Sequence, residues 1–226
     1  MFRSYHTSVN TSISGFGNIH LTIMLRYAIT SRALYPGDEQ EKQAALLRQT
    51  SHWAADGIDF IQLREKDLSA AAIATLARNI LKTIALTASS TRLLINSRAD
   101  IAIAAGARGV HLTSDPCEVT PKEIRGLYAS ARLHAPIVTV SCHTIEEVQR
   151  ACEDQADAIL FAPVFEKRLS GEGTIAGQGL DRLHAACTAA SLVPVYALGG
   201  VTLENAGACI AAGAAGIAGI RLFHNS

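Results

Sequence analysis

The stretch 193–221, VPVYALGGVTLENAGACIAAGAAGIAGIR, decides the fold. It opens on a short apolar run, Val193–Leu198, and breaks at Gly199-Gly200. An alanine-rich helical segment follows Thr202, and a second apolar run, Gly216–Ile220, closes it. Strand, helix and strand in that order make a parallel crossover unit. The same alternation extends upstream. Further candidate strands are Leu25–Thr30, Ile58–Leu63, Arg92–Asn96, Gly109–Leu112, Ile137–Ser141 and Ala158–Ala162, which brings the total to eight. Several of these runs, such as Ala158–Ala162 (AILFA), are apolar throughout, as strands covered on both faces must be.

The segments between them carry helix-start signals. Ser69 precedes AAAIATLA, and Thr120-Pro-Lys-Glu pairs an N-cap with proline at the first helical position. Thr144 with Glu147 reads as a capping box, and Thr202 precedes LENAGACI. Eight βα units in 226 residues predict the α/β class and a single (β/α)8 TIM barrel, with an open doubly wound sheet as the alternative. The barrel is expected over 25–226 with no internal boundary. Residues 1–24, rich in Ser, Thr, Asn and Gly, read as a flexible extension without the apolar centre of a signal peptide.

Composition narrows the function classes. Apolar residues make up 49% of the chain, enough for a large core, while aromatics make up only 5%, which suits helix-on-sheet packing. The formal charge is zero and no basic stripe is visible, which argues against nucleic acid as a partner. Near-neutrality points to homo-oligomer formation as a route to solubility. Five dispersed cysteines without a CxxC pair suit reduced thiols in the cytoplasm and argue against zinc. No apolar run is long enough to cross a membrane.

In a barrel of this kind, chemistry gathers where strands end. The seventh strand ends at Gly199-Gly200 and the eighth at Ile220-Arg221. The glycines read either as a tight turn or as a backbone cradle for an oxyanion, and the barrel context favours a phosphate, with Arg221 adding charged donors. The second strand runs into Gln62-Leu-Arg-Glu-Lys66, so Gln62, Arg64 and Lys66 share one face. Facing inward they would line a site for an anionic or polar ligand; facing outward they would be a solvated strand end. Glu65 would pair locally. Asn96 ends the third strand, as a ring-reading amide or a helix cap. The fifth ends in Ser141-Cys-His143: His143 is a candidate proton shuttle or a structural histidine, and Cys142 faces the other way. His111 reads as structural. The glycine-rich loop Phe165–Gln178 reads as a lid, with Lys167 or Arg168 closing over an anion.

Taken in order, QLREK at 62–66, LIN at 94–96, GVHL at 109–112, SCHT at 141–144, PVF at 163–165, ALGGV at 197–201 and GAAGIAGIRLF at 213–223 resemble the thiamine phosphate synthase/TenI family, from about Tyr27 to Phe223. The resemblance implies two possible reactions. Synthases join a pyrimidine diphosphate to a thiazole phosphate and release pyrophosphate, with Mg²⁺. TenI-type members isomerise a carboxythiazole phosphate without a cofactor, using a histidine at the position of His143. It also implies pyrimidine and diphosphate contacts from Gln62, Arg64, Lys66, Asn96 and Ser141, and thiazole-phosphate contacts from Gly200, Ile220 and the position of Arg221, beside Gly199.

This chain departs from the synthase pattern. Ser97 and Pro116 stand where synthases carry metal-binding aspartates, with Asp115 one residue early. Ser170 replaces the lid lysine, with Lys167 nearby, and Arg221 replaces a serine. Mg²⁺ prefers carboxylate oxygens, and a departing pyrophosphate needs its charge neutralised. The departures therefore favour a thiazole tautomerase with His143 as its acid–base residue and no metal. Synthase with Mg²⁺ is the alternative, and a non-catalytic phosphate-ligand regulator is a third reading.

Overall fold

The computed structural model describes residues 24–115, 117–168 and 173–224, with the backbone alone at 167–168. In chain order the strands are β1 (Leu25–Ile29), β2 (Phe60–Leu63), β3 (Arg92–Asn96), β4 (Gly109–Leu112), β5 (Ile137–Cys142) and β6 (Ala158–Phe161). There follow β7 (Lys167–Arg168), β8 (Thr174–Ile175), β9 (Val195–Ala197) and β10 (Gly216–Gly219). Eight of them close a parallel barrel in the order β1-β10-β9-β6-β5-β4-β3-β2. The seam is β1 against β10, from Leu25 opposite Gly216 to Ala28 opposite Gly219. The remaining two, β7 and β8, form a small antiparallel ribbon inside the expected lid.

Seven α-helices lie among the described residues: α1 (Glu39–Ala55), α2 (Ala70–Leu86), α3 (Ala99–Ala105), α4 (Pro121–Ser130), α5 (Ile145–Glu153), α6 (Gly179–Ala190) and α7 (Ala206–Ala211). Ser69 caps α2, and Thr120 with Glu123 forms a full capping box on α4 behind Pro121. Two expected starts differ. Thr144 Oγ1 accepts the Glu147 N–H, but the Glu147 carboxylate takes the His143 N–H at 2.5 Å, so the box on α5 is half-formed and the glutamate grips the site residue instead. Helix α7 starts behind Asn205, not Thr202; the two exchange side-chain-to-backbone bonds of 2.8 and 3.3 Å in a turn that precedes the helix.

Strand alternation sorts the core into two layers. Tyr27, Ile29, Leu94, Ala158, Leu160, Tyr196 and Ala218 fill the barrel interior. Ala28, Ile61, Leu63, Val138, Val140, Ile159 and Phe161 point outward under the helices. Met24 packs on this outer layer, while residues 1–23 of the expected extension lie outside the described residues. One tie links sequence-distant parts: Trp53 Nε1 on α1 donates to the Phe223 carbonyl at 2.7 Å, and Gln49 adds a second bond at 3.3 Å. Among the described residues, no helix is long and apolar enough to cross a membrane.

Candidate active site

A cavity of about 570 Å³ opens at the carboxyl ends of the strands. Its lining brings together Gln62, Arg64, Lys66, Asn96, Ser141, His143, Gly199, Gly200, Ile220 and Arg221, the ten site residues expected from sequence apart from Lys167. The expected Lys167 contact concerns a side chain outside the described part; its neighbours Glu166 and Ile175 line the cavity instead. Sequence reading missed both, and also missed His111 as part of the wall.

At the β2 end the wall consists of side chains. Gln62 points inward, nearly fully buried, and Arg64 and Lys66 follow on the same face toward the cavity mouth. The residue between them, Glu65, turns the other way into an ion cluster built on the buried Arg32. Arg32, 6% exposed, donates Nη1 to Glu65 at 3.0 Å, both terminal nitrogens to Asp67 at 2.7 and 2.6 Å, and Nε to Glu39 at 2.7 Å. Its backbone N–H also bonds both Glu65 oxygens, at 3.1 Å. Arg32 holds the Asp67 and Glu39 carboxyls below their usual range, and Asp67 in turn does most to hold Arg32 charged. The buried Thr30 hydroxyl accepts the Arg64 N–H at 2.9 Å. The end of β1 thus fixes the backbone that presents Arg64 and Lys66.

At the β9–β10 end the wall is backbone. Gly199 and Gly200 have φ of +89° and +65°. A Cβ on Gly199 would lie 2.7 Å from Pro163 Cα, and one on Gly200 would lie 2.6 Å from the Glu166 carbonyl. Both the left-handed turn and the close approach of the 163–166 segment therefore require glycine. The N–H groups of Gly200, Ile220 and Arg221 donate no hydrogen bond among the described residues, so this end offers main-chain donors alongside the exposed Arg221 guanidinium. Such a grouping can bind an oxyanion.

Between the ends stands His143, exposed, with Nδ1 2.6 Å from the Ala162 carbonyl. A carbonyl only accepts, so Nδ1 carries a hydrogen and Nε2 is the nitrogen left for the cavity. Gln178 bonds the same carbonyl at 3.0 Å. Cys142 faces the helices, and burial pushes its thiol up to about 12, which removes it as a nucleophile.

The donor set does not fit a resident Mg²⁺. Among the described residues lining the cavity, Glu166 is the single carboxylate. Ser97, at φ +56°, is not part of the lining, and Pro116 lies outside the described residues. Asp115 borders a neighbouring cavity of about 90 Å³, where its Oδ1 accepts the Cys117 N–H at 2.9 Å. No group of three His, Cys, Asp or Glu residues suited to a metal occurs among the described residues.

Fold and cavity together define a (β/α)8-barrel enzyme with its candidate site at the carboxyl ends of the strands. The chain belongs to the thiamine monophosphate synthase family, which it matches over residues 27–223. A putative thiamine-phosphate synthase of Geobacter sulfurreducens is 43% identical over 170 residues, 73% of this chain and 72% of that protein. A thiamine-phosphate synthase of Methanospirillum hungatei is 34% identical over 196 residues, 85% of each chain. Thiamine phosphate pyrophosphorylase from Pyrococcus furiosus shares the fold, with TM-score 0.70 at 22% identity over 88% of this chain and 86% of that one.

Proposed function

We propose that this chain acts in thiamine biosynthesis as a thiamine phosphate synthase, joining a pyrimidine diphosphate to a thiazole phosphate with release of pyrophosphate. The observation that carries the reading is a single cavity with two chemically distinct ends, each suited to an anion, one lined by the Arg64 and Lys66 side chains and one by backbone donors beside Arg221. Two phosphorylated substrates need two such ends; an isomerisation of one phosphate needs one. The names of the curated relatives support the same reading and move weight away from the isomerisation that the sequence departures favour.

In this reading Gln62 and Asn96 orient the pyrimidine, and Arg64 and Lys66 meet the diphosphate. Charge grows on the departing pyrophosphate, and the two cations neutralise it in place. Gly200, Ile220 and Arg221 hold the thiazole phosphate. No step is assigned to a metal held by this chain.

A second reading has its own observation. His143 aims Nε2 at the cavity with its other nitrogen engaged by Ala162, the arrangement of a general base, and the cavity is poor in carboxylates. That favours a thiazole tautomerase. One experiment separates the two. The pure protein is incubated with the carboxythiazole phosphate tautomer, with and without pyrimidine diphosphate and Mg²⁺, and the products are identified. Thiamine phosphate, pyrophosphate and carbon dioxide, the last from the thiazole carboxyl, are expected. If both substrates with saturating Mg²⁺ yield none, coupling is wrong. Aromatised thiazole phosphate formed without the pyrimidine, and lost in His143→Gln, would establish isomerisation instead.

A further inference from the structure

Beneath the cavity, inside the barrel, a continuous chain of polar groups joins Gln62 to Ser141 through Tyr27, Thr139 and His111, three residues with no part in the proposed chemistry. Gln62 Nε2 is 3.2 Å from the Tyr27 hydroxyl. That hydroxyl is 3.1 Å from Thr139 Oγ1 and 3.4 Å from His111 Nδ1. Thr139 Oγ1 is 2.8 Å from the same Nδ1, and His111 Nε2 is 3.0 Å from Ser141 Oγ, which lines the cavity. We propose that this relay runs in one direction, from Gln62 through Tyr27, Thr139 and His111 to Ser141, and fixes the Ser141 hydroxyl as a hydrogen-bond donor toward the bound ligand. His111 is then a positioning residue, and the site selects a ligand that carries an acceptor, such as a ring nitrogen or a phosphoryl oxygen, opposite Ser141.

The direction follows from counting donors. Tyr27 and Thr139 are fully buried, and Gln62 and His111 are 1% and 3% exposed, so a donor left without an acceptor here is costly. An amide nitrogen only donates, so Tyr27 accepts from Gln62. The Tyr27 hydrogen then goes to Thr139 Oγ1 or to His111 Nδ1. Either way, placing every hydroxyl hydrogen makes Nδ1 an acceptor. The reverse arrangement, with Nδ1 donating to Thr139, strands the hydrogen of Tyr27 or of Thr139. Burial, with the nearby Arg64 charge, holds the His111 pKa down to about 3, so the ring is neutral at ordinary pH and carries one hydrogen. That hydrogen sits on Nε2 and points at Ser141 Oγ. With its oxygen accepting from His111, Ser141 keeps its own hydrogen for the cavity.

The relay deepens the proposed function, since the family resemblance sets Ser141 among the contacts of the pyrimidine diphosphate, but its direction does not depend on which reaction occurs. The first test is long-range 1H–15N NMR on the full chain with labelled histidine. His111 is expected as the neutral Nε2–H tautomer from about pH 5 to pH 8. An Nδ1–H tautomer or an imidazolium overturns the proposal. Ser141→Ala is expected to leave the tautomer unchanged, because direction is set from the Gln62 end; a switch in that variant counts against the relay. Tyr27→Phe combined with Thr139→Val is expected to abolish the preference. Thr139→Val alone, which leaves only the 3.4 Å Tyr27 contact, is expected to populate both tautomers and covers the case in which the pair does not fold. The second test is kinetic. Thr139→Val is expected to lower kcat/KM about tenfold in the wild-type background and not at all in Ser141→Ala. Equal losses in both backgrounds would overturn the positioning role. Absence of turnover in every arm removes the functional reading and leaves the tautomer to decide the relay.

Discussion

At the β2 end of the cavity the cavity-facing atoms belong to long side chains, Arg64 and Lys66, braced from behind by Arg32 and Thr30. At the β9–β10 end they belong to the backbone of Gly200, Ile220 and Arg221, held by a left-handed turn that packs on the 163–166 segment. In the proposed function the first end would gain affinity from charge and depend on ion pairs to order it. The second would gain it mainly from dipoles already fixed by the fold, with the Arg221 guanidinium beside them. Substitutions should therefore act on the two ends by different routes: charge changes at one, shape changes at the other.

The largest effect is expected from Gly200→Ala. The new Cβ meets the Glu166 carbonyl, and φ of +65° strains it further. Turnover should fall about a hundredfold or more, with a lower Tm. Retained turnover would show that the turn is not part of the site. Arg64→Met comes next. Calorimetry with inorganic pyrophosphate should show affinity reduced about thirtyfold, while Tm hardly moves. An equal loss for inorganic phosphate would mean that the two ends are not separate.

Arg32→Met tests the bracing. Arg32 does not line the cavity, yet pyrophosphate binding should weaken about tenfold as the 64–67 segment loosens. Leaving the buried Glu65 charge uncompensated should cost about 3 kcal/mol in denaturant unfolding. The same variant should blunt the acid limb of stability. Asp67 and Glu39 have depressed folded-state pKa values, so their stabilisation is present above the ordinary carboxylate range and fades as pH falls through the lowered values. The last effect concerns His111 and leaves ligand binding aside. Its folded pKa of about 3 lies below the unfolded value of about 6.5, so the unfolded chain binds the extra proton and stability declines as pH falls between those values. Tm measured from about pH 7 to pH 4 should fall less steeply in His111→Gln.

Both ends of the cavity could be located in the sequence because each departs from a local rule. Charges at the end of an apolar run, as in Gln62–Lys66, and paired glycines after a strand, as at Gly199-Gly200, stand out against the barrel alternation. What braces them could not be read that way. Arg32 sits in a single 3-10 turn and meets Glu65 and Asp67 more than thirty positions away, with no periodicity to announce it. His111 reads as core because it lies inside an apolar run; that it touches both core and cavity depends on the inward register of Asn96 opposite His111 opposite Thr139. The ribbon β7–β8 escaped because two-residue strands carry no pattern, and with it went Glu166 and Ile175 as wall residues. Thr202 misplaced the start of α7 because a serine- or threonine-led turn and a helix cap share one sequence signature.

The bond from Trp53 to the Phe223 carbonyl spans 170 positions of sequence. During synthesis, α1 emerges long before its acceptor exists, and β1 emerges long before β10 can cover its edge. A nascent chain thus carries a half-paired strand and an unmatched indole until β10 and Phe223 have been translated. Contacts of such long range close slowly, and open strand edges invite pairing with other chains in the interval. The arrangement that completes the backbone-built end of the site therefore makes its assembly a late event in the life of each molecule, and the partly made barrel is the form most exposed to aggregation.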